Sequence, residues 1–149
     1  MADVFTKAKR SEVMSRIRGS GNRGTEIALE KLFRKHGVTG WRRNQPLFGK
    51  PDFTLRRQRI IIFVDGCFWH GCLKHCSIPV NNRAFWKKKL TANRERDRLV
   101  TRTLRKQGWR VICVWEHDLA VNGALTSKLE RIVATLKATQ WIGSGSKLP

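Results

Sequence analysis

Twelve consecutive residues constrain this chain more than any others: Asp65-Gly66-Cys67-Phe68-Trp69-His70-Gly71-Cys72-Leu73-Lys74-His75-Cys76, directly after the apolar run Ile60 to Val64. A polar loop does not readily order itself by burying apolar surface, but bound metal supplies folding free energy where ligands are grouped. A structural zinc takes four ligands, commonly from local pairs spaced by two to four residues. Cys67-x4-Cys72-x2-His75 offers three, and His117, just beyond a strand ending at Trp115, is the distant fourth. Cys76 is a competing donor, although two adjacent residues rarely aim at one tetrahedral ion. Three of the four cysteines fall in this stretch, which reads as a metal site rather than a disulfide framework. The expectation is a structural Zn²⁺ knuckle over residues 67–76; unmetallated thiols in a loop are the bland alternative.

The 149 residues suffice for one domain with a hydrophobic core. Lys and Arg number 31 against 11 Asp and Glu, a formal charge of +20. Such an excess opposes compaction and points to a polyanionic partner, by default nucleic acid. A membrane partner is not expected, because no stretch approaches the roughly 20 apolar residues of a span. The basic N-terminus is followed by no apolar segment, so a cytoplasmic, nucleoid-associated protein is expected.

Along the chain, residues 1–24 read as a basic N-terminal arm, with Val13, Met14 and Ile17 at helical spacing before the joint Gly19 to Gly24. Thr25 reads as the N-cap of a helix with the apolar face Ala28, Leu29, Leu32 and Phe33, ended by Gly37. Trp41 to Asn44 suggests a short strand, and Asp52–Leu55 with Ile60–Val64 a hairpin across Arg56 to Arg59. The second of these lacks alternation, as a strand buried on both faces does. A long helix over about Arg83 to Lys106 carries the stripe Trp86, Leu90, Val100 and Leu104, with Arg94, Arg98, Arg102 and Arg105 on other faces. Gly108 caps it, Trp109 to Trp115 reads as another buried strand, and a last helix carries Leu125, Leu129, Ile132, Val133 and Leu136. This order predicts a single α/β domain over 25–140, a mixed central sheet flanked by helices, with a mobile tail over 141–149.

Within that frame, His70 is not at ligand spacing from either flanking cysteine, so it is a general base or a hydrogen-bonded loop histidine. Asp52 follows a proline at a strand start, where a carboxylate often caps a turn. Asp52, twelve residues and then Asp65 also resembles the Mg²⁺ sites of restriction-type nucleases, with Cys67 standing where such sites have a lysine. Phe68 and Trp69, with Trp86, suit stacking on bases or wedging between base pairs; packing over the knuckle is the plainer reading, for Trp86 especially. The arginines of the long helix form a solvated face or meet phosphate. Cys113 is expected to be a small buried hydrophobe. A strand-borne Asp, an isolated His and a thiol-rich knuckle in so basic a chain suggest a nuclease; a zinc-stabilised binding module would need neither the Asp nor the His.

Phe63-Val64-Asp65-Gly66-Cys67-Phe68-Trp69-His70 resembles the signature of the Vsr family, the very-short-patch repair endonucleases that nick DNA at mismatches. The likeness extends to Pro51-Asp52-Phe53, Phe85-Trp86, Asn93 through Asp97, Gly108-Trp109-Arg110-Val111 and Val114-Trp115-Glu116, over about residues 7 to 120 in family order. The resemblance implies a restriction-endonuclease-like fold, a structural zinc, and Mg²⁺-dependent hydrolysis of one strand beside a T:G mismatch left by deamination of 5-methylcytosine. It implies Asp52 and the main-chain carbonyl of Val64 at the Mg²⁺, His70 as the group that activates the attacking water, and Glu26 as an acidic helix residue beside the site. It further implies Phe68, Trp69 and Trp86 as the intercalating wedge, and Cys67, Cys72, His75 and His117 as zinc ligands. The best-known family member has His in place of Asp65, so Asp65 is expected to hold a water at the metal; that member also carries Cys in place of His117. The expected partner is double-stranded DNA with a T:G mismatch, bound by a monomer, with mismatch-repair proteins as candidate associates. A general restriction-type or junction nuclease is the alternative within the same chemistry.

Overall fold

Ile60 to Asp65 is the strand around which the rest is arranged, because it has hydrogen-bonded neighbours on both sides and helices over both faces. The computed structural model describes residues 6–15, 25–119 and 126–142. Within them, β1 (Arg42–Arg43), β2 (Phe53–Leu55), β3 (Ile60–Asp65) and β4 (Arg110–Trp115) form one four-stranded sheet in the order β1-β2-β3-β4. The first two pairings are antiparallel and β3·β4 is parallel, so the sheet is mixed, as expected. The helices are α1 (Lys7–Ser15), α2 (Glu26–Lys35), α3 (Arg83–Lys106), α4 (Glu116–Leu119) and α5 (Ser127–Ile142). Parallel neighbours need a long crossover, and α3 is the crossover from β3 to β4.

Side chains alternate across a sheet, and the two parities here have different fates. Ile60, Ile62 and Val64 of β3, Phe53 and Leu55 of β2, and Val114 of β4 point to one face. There Leu29 and Phe33 of α2 and Leu129, Ile132, Val133 and Leu136 of α5 close the core. Each such side chain, once buried, contributes roughly 1.5–3 kcal/mol. Phe33 stands edge-on to Phe53, centroids 5.3 Å apart, and Trp41 joins them at 5.5 Å from Phe53. The other parity, Ile61, Phe63, Asp65, Val111, Cys113 and Trp115, lies under α3. Gly49, at φ +78°, lets the loop before β2 press against Val100 of α3 where a Cβ would meet a methyl.

Several sequence expectations are corrected. Thr25 occupies the N-cap position of α2, but its side chain makes no capping hydrogen bond. Gly37 does close that helix, in the left-handed region at φ +67°. The strand over Trp109 to Trp115 is not buried: β4 lies at the sheet edge among the described residues, and only Val114 in it is fully enclosed. Val100 is half-buried, whereas Trp86, Leu90 and Leu104 of the same stripe are buried. Helix α5 extends to Ile142, into the stretch expected as tail. Ile17, the joint Gly19 to Gly24, Leu125 and the tail beyond Ile142 lie outside the described residues. No helix of the described residues is long and apolar enough to cross a membrane.

Candidate active site and metal centre

The carboxyl ends of the parallel pair β3 and β4 bring distant residues together. Asp65 pairs in register with Trp115, so Gly66-Cys67 and Glu116-His117 leave the sheet side by side. The Cys67 N–H donates to Glu116 Oε2 at 3.0 Å, tying the two exits. Cys67, Cys72, His75 and His117 consequently offer ligand atoms all within 4.8 Å of one another. Three separations stand out: Cys67 Sγ to His117 Nδ1 is 3.3 Å, Cys72 Sγ to His117 Nδ1 3.5 Å, and Cys72 Sγ to His75 Nδ1 3.7 Å. A tetrahedral ion with bonds of about 2.0–2.3 Å has ligand–ligand edges of roughly 3.3–3.8 Å, so these residues fit one. Burial works against the Cys72 thiolate, yet the His75 ring and the Lys74 and His75 N–H groups outweigh it and hold that thiol down at about 7. Cys76 is turned away, its Sγ 3.7 Å from the Phe68 carbonyl. Of the two competing donors, His75 is in the cluster.

His70 stands outside this cluster, as its spacing suggested. Its Nδ1 lies 2.7 Å from Asp97 Oδ2 and 3.7 Å from Asp65 Oδ1. Burial pulls the His70 pKa down, but the Asp97 hydrogen bond and the Asp65, Asp97 and Asp52 charges prevail and raise it. A carboxylate on Nδ1 fixes the proton there in the neutral ring, which leaves Nε2 as the acceptor. Asp97 is reached because α3 runs back over the sheet: one turn earlier on that helix, Asn93 donates to the Trp69 carbonyl at 2.9 Å. Asn93 and Asp97 thus grip successive residues of the knuckle from one helix face.

On the other side of His70 stand the acids. Asp52 Oδ2 accepts the Val64 N–H at 2.7 Å, which fixes the carboxylate at the head of β2 against β3. Burial, aided by the neighbouring Glu26 and Asp65 carboxylates, pushes Asp52 up to about 7 against that bond. Burial likewise raises Asp65, which His70 and Cys113 partly relieve. Glu26 is only 5 % exposed and pairs with Arg43, whose other nitrogen reaches Glu30 at 3.0 Å. A cavity of about 300 Å³ is lined by Glu26, Asp52, Val64, Asp65, His70 and Asp97. Crowded carboxylates whose charge is disfavoured by burial and by one another are the donor set that suits a hard divalent cation.

Sequence reasoning missed two residues here. Cys113 is half-buried rather than a core residue: its thiol lines the cavity and donates to Asp65 Oδ2 at 2.7 Å, and burial together with the Asp65 charge pushes its pKa up, so it stays a donor. Asp97 lay inside a noted stretch, but only the helix–loop docking shows its contact with His70. The i, i+4 spacing of Asn93 and Asp97 was the available signal.

The three aromatics expected to form a wedge pack on one another. Phe68 is 5.1 Å from Trp69 and 5.3 Å from Trp86, and Trp69 is 6.1 Å from Trp86. Trp86 is buried beneath the half-buried Phe68 and Trp69, while Phe85 beside it is the exposed ring. Lys89 Nζ sits 5.6 Å from the Trp69 ring, holding a cation over the cluster.

A family model described as DNA mismatch endonuclease Vsr matches residues 2–77. The chain is 36% identical over 139 residues to the type II nicking enzyme V.NmeAIP of Neisseria meningitidis serogroup A, covering 92% of this chain and 98% of that one. It is 37% identical over 138 residues to the DNA mismatch endonuclease Vsr of Escherichia coli K12, covering 87% and 86% respectively. With the type II nicking enzyme V.XorIIP of Xanthomonas oryzae pv. oryzae the identity is 34% over 136 residues, 89% of this chain and 98% of the relative.

Proposed function

Since the chain belongs to the Vsr family of DNA mismatch endonucleases, we propose that it nicks one strand of duplex DNA beside a T:G mismatch, as a Mg²⁺-dependent hydrolase of very-short-patch repair in the cytoplasm. The observation that carries this reading is the meeting of Asp52, Glu26, Asp65 and the Asp97-bound His70 around one cavity next to the Phe68–Trp69 cluster. A restriction-endonuclease-like arrangement of the sheet fits the same placement.

The Asp52 carboxylate and the Val64 carbonyl would hold Mg²⁺, which when bound supplies positive charge to the scissile phosphate and acidifies water. His70 accepts the proton of the attacking water at Nε2, and Asp97 orients the ring and stabilises the imidazolium that forms. Asp65, tied by Cys113 on one oxygen, presents the other toward His70. Glu26, anchored by Arg43, sets a second carboxyl group beside Asp52. Zn²⁺ would be held by Cys67, Cys72, His75 and His117; four protein ligands close its coordination sphere, so its role is to order the loop that carries His70. Phe68 and Trp69 enter the stack beside the mispaired thymine, with Trp86 following as the cluster opens, because unstacking costs least where pairing is already poor.

The test is nicking of labelled T:G and matched C:G duplexes over a panel of flanking sequences, with and without Mg²⁺. Much faster Mg²⁺-dependent cutting of the T:G duplexes is expected. Equal cutting of both refutes the mismatch reading and favours a nicking enzyme directed by sequence alone, a reading supported by the relatives named type II nicking enzymes.

A further inference from the structure

The long helix α3 holds more cations than folding requires, and the structure separates those with a structural duty from those without. Arg94 is committed: its Nη2 donates to the Gly71 carbonyl at 2.6 Å, and a Cβ on Gly71, at φ +62°, would collide with its guanidinium. Arg98, Arg102, Arg105 and Lys106 are different. They are exposed, and none of them forms an ion pair among the described residues. Their spacing of three to four residues puts them on one face of the helix. Like charges so placed repel one another, which argues against a purely structural purpose.

That face is one wall of a groove of about 870 Å³. The knuckle residues Gly71 and Leu73, the latter 96 % exposed, form part of the opposite side, and Cys113 and Trp115 belong to its floor. Asp65, His70 and Asp97 line both this groove and the smaller acidic cavity. The groove therefore leads away from the candidate cutting site along the second half of α3, in the direction opposite to Trp86 at the start of that helix.

We propose that this groove is a track for the phosphodiester backbone of the nicked strand on the side of the cut away from the aromatic wedge, with Arg98, Arg102, Arg105 and Lys106 as its phosphate contacts. The proposal rests on the DNA-nicking reading above. From Asp97 to Arg105 the helix rises roughly 12 Å at about 1.5 Å per residue. Because the strand winds around the duplex, its phosphates lie about twice as far apart along the backbone as their roughly 3.4 Å axial rise, so that length serves two to three successive phosphates. Arginine and lysine there hold the strand in place without reading bases, so they supply affinity and register rather than mismatch choice.

The test compares binding of a labelled duplex by the wild-type protein, the double variant Arg98→Gln/Arg102→Gln and the control Lys137→Gln, the last on α5 over the opposite face of the sheet. Affinity is measured without Mg²⁺ between about 50 and 200 mM salt. Each lost phosphate contact lowers the slope of log affinity against log salt by about 0.9, so the double variant should lose about 1.8, equivalent to a roughly twelve-fold smaller fall in affinity across that range. The loss should be the same on matched and T:G duplexes and absent in Lys137→Gln. Methylphosphonates introduced singly should weaken wild-type binding at two or three consecutive phosphates on one side of the cut. The double variant should lose that sensitivity at the phosphates nearest the cut, which face Arg98 and Arg102, while keeping it at the one facing Arg105 and Lys106. An unchanged slope in the double variant, an equal drop in the control, or sensitivity scattered over both strands overturns the track. Because binding is read without turnover, a protein that shows the slope change but never nicks keeps the track and loses the nuclease reading. A protein that nicks with an unchanged slope loses the track alone.

Discussion

Two faces of one sheet, built from the same strands, have opposite characters. Toward α2 and α5 the strands present Ile60, Ile62, Val64, Phe53, Leu55 and Val114, which close into a continuous apolar core. Toward α3 the same β3 and β4 present Phe63, Asp65, Cys113 and Trp115, around cavities that also hold His70 and Asp97. Val64 and Asp65 are adjacent, yet one side chain packs in the core and the other serves the site. The difference teaches why a short apolar strand can end in chemistry: the closed face fixes the register, and the open face inherits the position this sets. It also locates the burden on burial. The closed face gains from it, whereas on the open face burial raises both Asp52 and Asp65.

Removing the zinc proposed for the Cys/His cluster is the harshest test of this division, since structural zinc binding is worth on the order of 10 kcal/mol in small domains. Chelation, or Cys72→Ala, should abolish nicking and unprotect the amides of the knuckle, while those of β2 and β3 under α2 and α5 stay slow to exchange. Loss of protection at both faces together would show that the closed core does not stand by itself.

Phe33→Ala attacks the closed face. It opens a cavity against Phe53 and should cost about 3–5 kcal/mol in denaturant unfolding, with nicking at low temperature kept near the wild-type rate. The counterpart on the open face is His70→Ala, expected to slow nicking by about 10²–10⁴-fold while DNA affinity and melting temperature hardly change. A normal rate in that variant would reduce the imidazole to a loop support.

Cys113 offers a finer probe. Cys113→Ala removes one hydrogen bond to Asp65, worth about 0.5–1.5 kcal/mol, so a two- to ten-fold slower nicking step is expected. Cys113→Ser, which keeps a donor, should restore most of it; equal losses in both variants would point to packing instead.

The smallest effect belongs to Glu30, at the outer end of the Arg43 clamp. The Arg34 hydrogen bond, with Arg43 beside it, holds its carboxyl below the usual range despite partial burial. Its folded pKa lies beneath its unfolded value of about 4.3, so its contribution is present above that pH and disappears as pH falls through the folded pKa. Glu30→Gln should flatten the acid limb of the stability curve by no more than about 1 kcal/mol, and leave stability at pH 7 the more reduced of the two. A stability profile identical to wild type from pH 3 to about pH 7 would show the ion pair to be idle.

Much of this was legible in the amino-acid sequence because local chemistry decides it. The hairpin around Arg56 to Arg59, the bounds of α3 and the end of α2 at Gly37 follow from periodicity and turn residues, which need no distant partner. The grouping of Cys67, Cys72 and His75, with Cys76 as a competing donor, follows from spacing within one loop, and the fold turns Cys76 away. What remained hidden depends on which strands lie side by side. Only the parallel register of Asp65 with Trp115 brings Cys67 to His117 and sets Cys113, read from sequence as a core residue, on the face of Asp65. Only the return of α3 across the knuckle makes Asp97 the partner of His70, distinguishes the tethered Arg94 from the unpaired cations beyond it, and buries Trp86 under the two aromatics with which it was grouped. Sequence specifies which groups a segment carries and which faces of it are apolar; long-range packing decides which of those groups meet, because a contact across tens of residues depends on how whole elements dock.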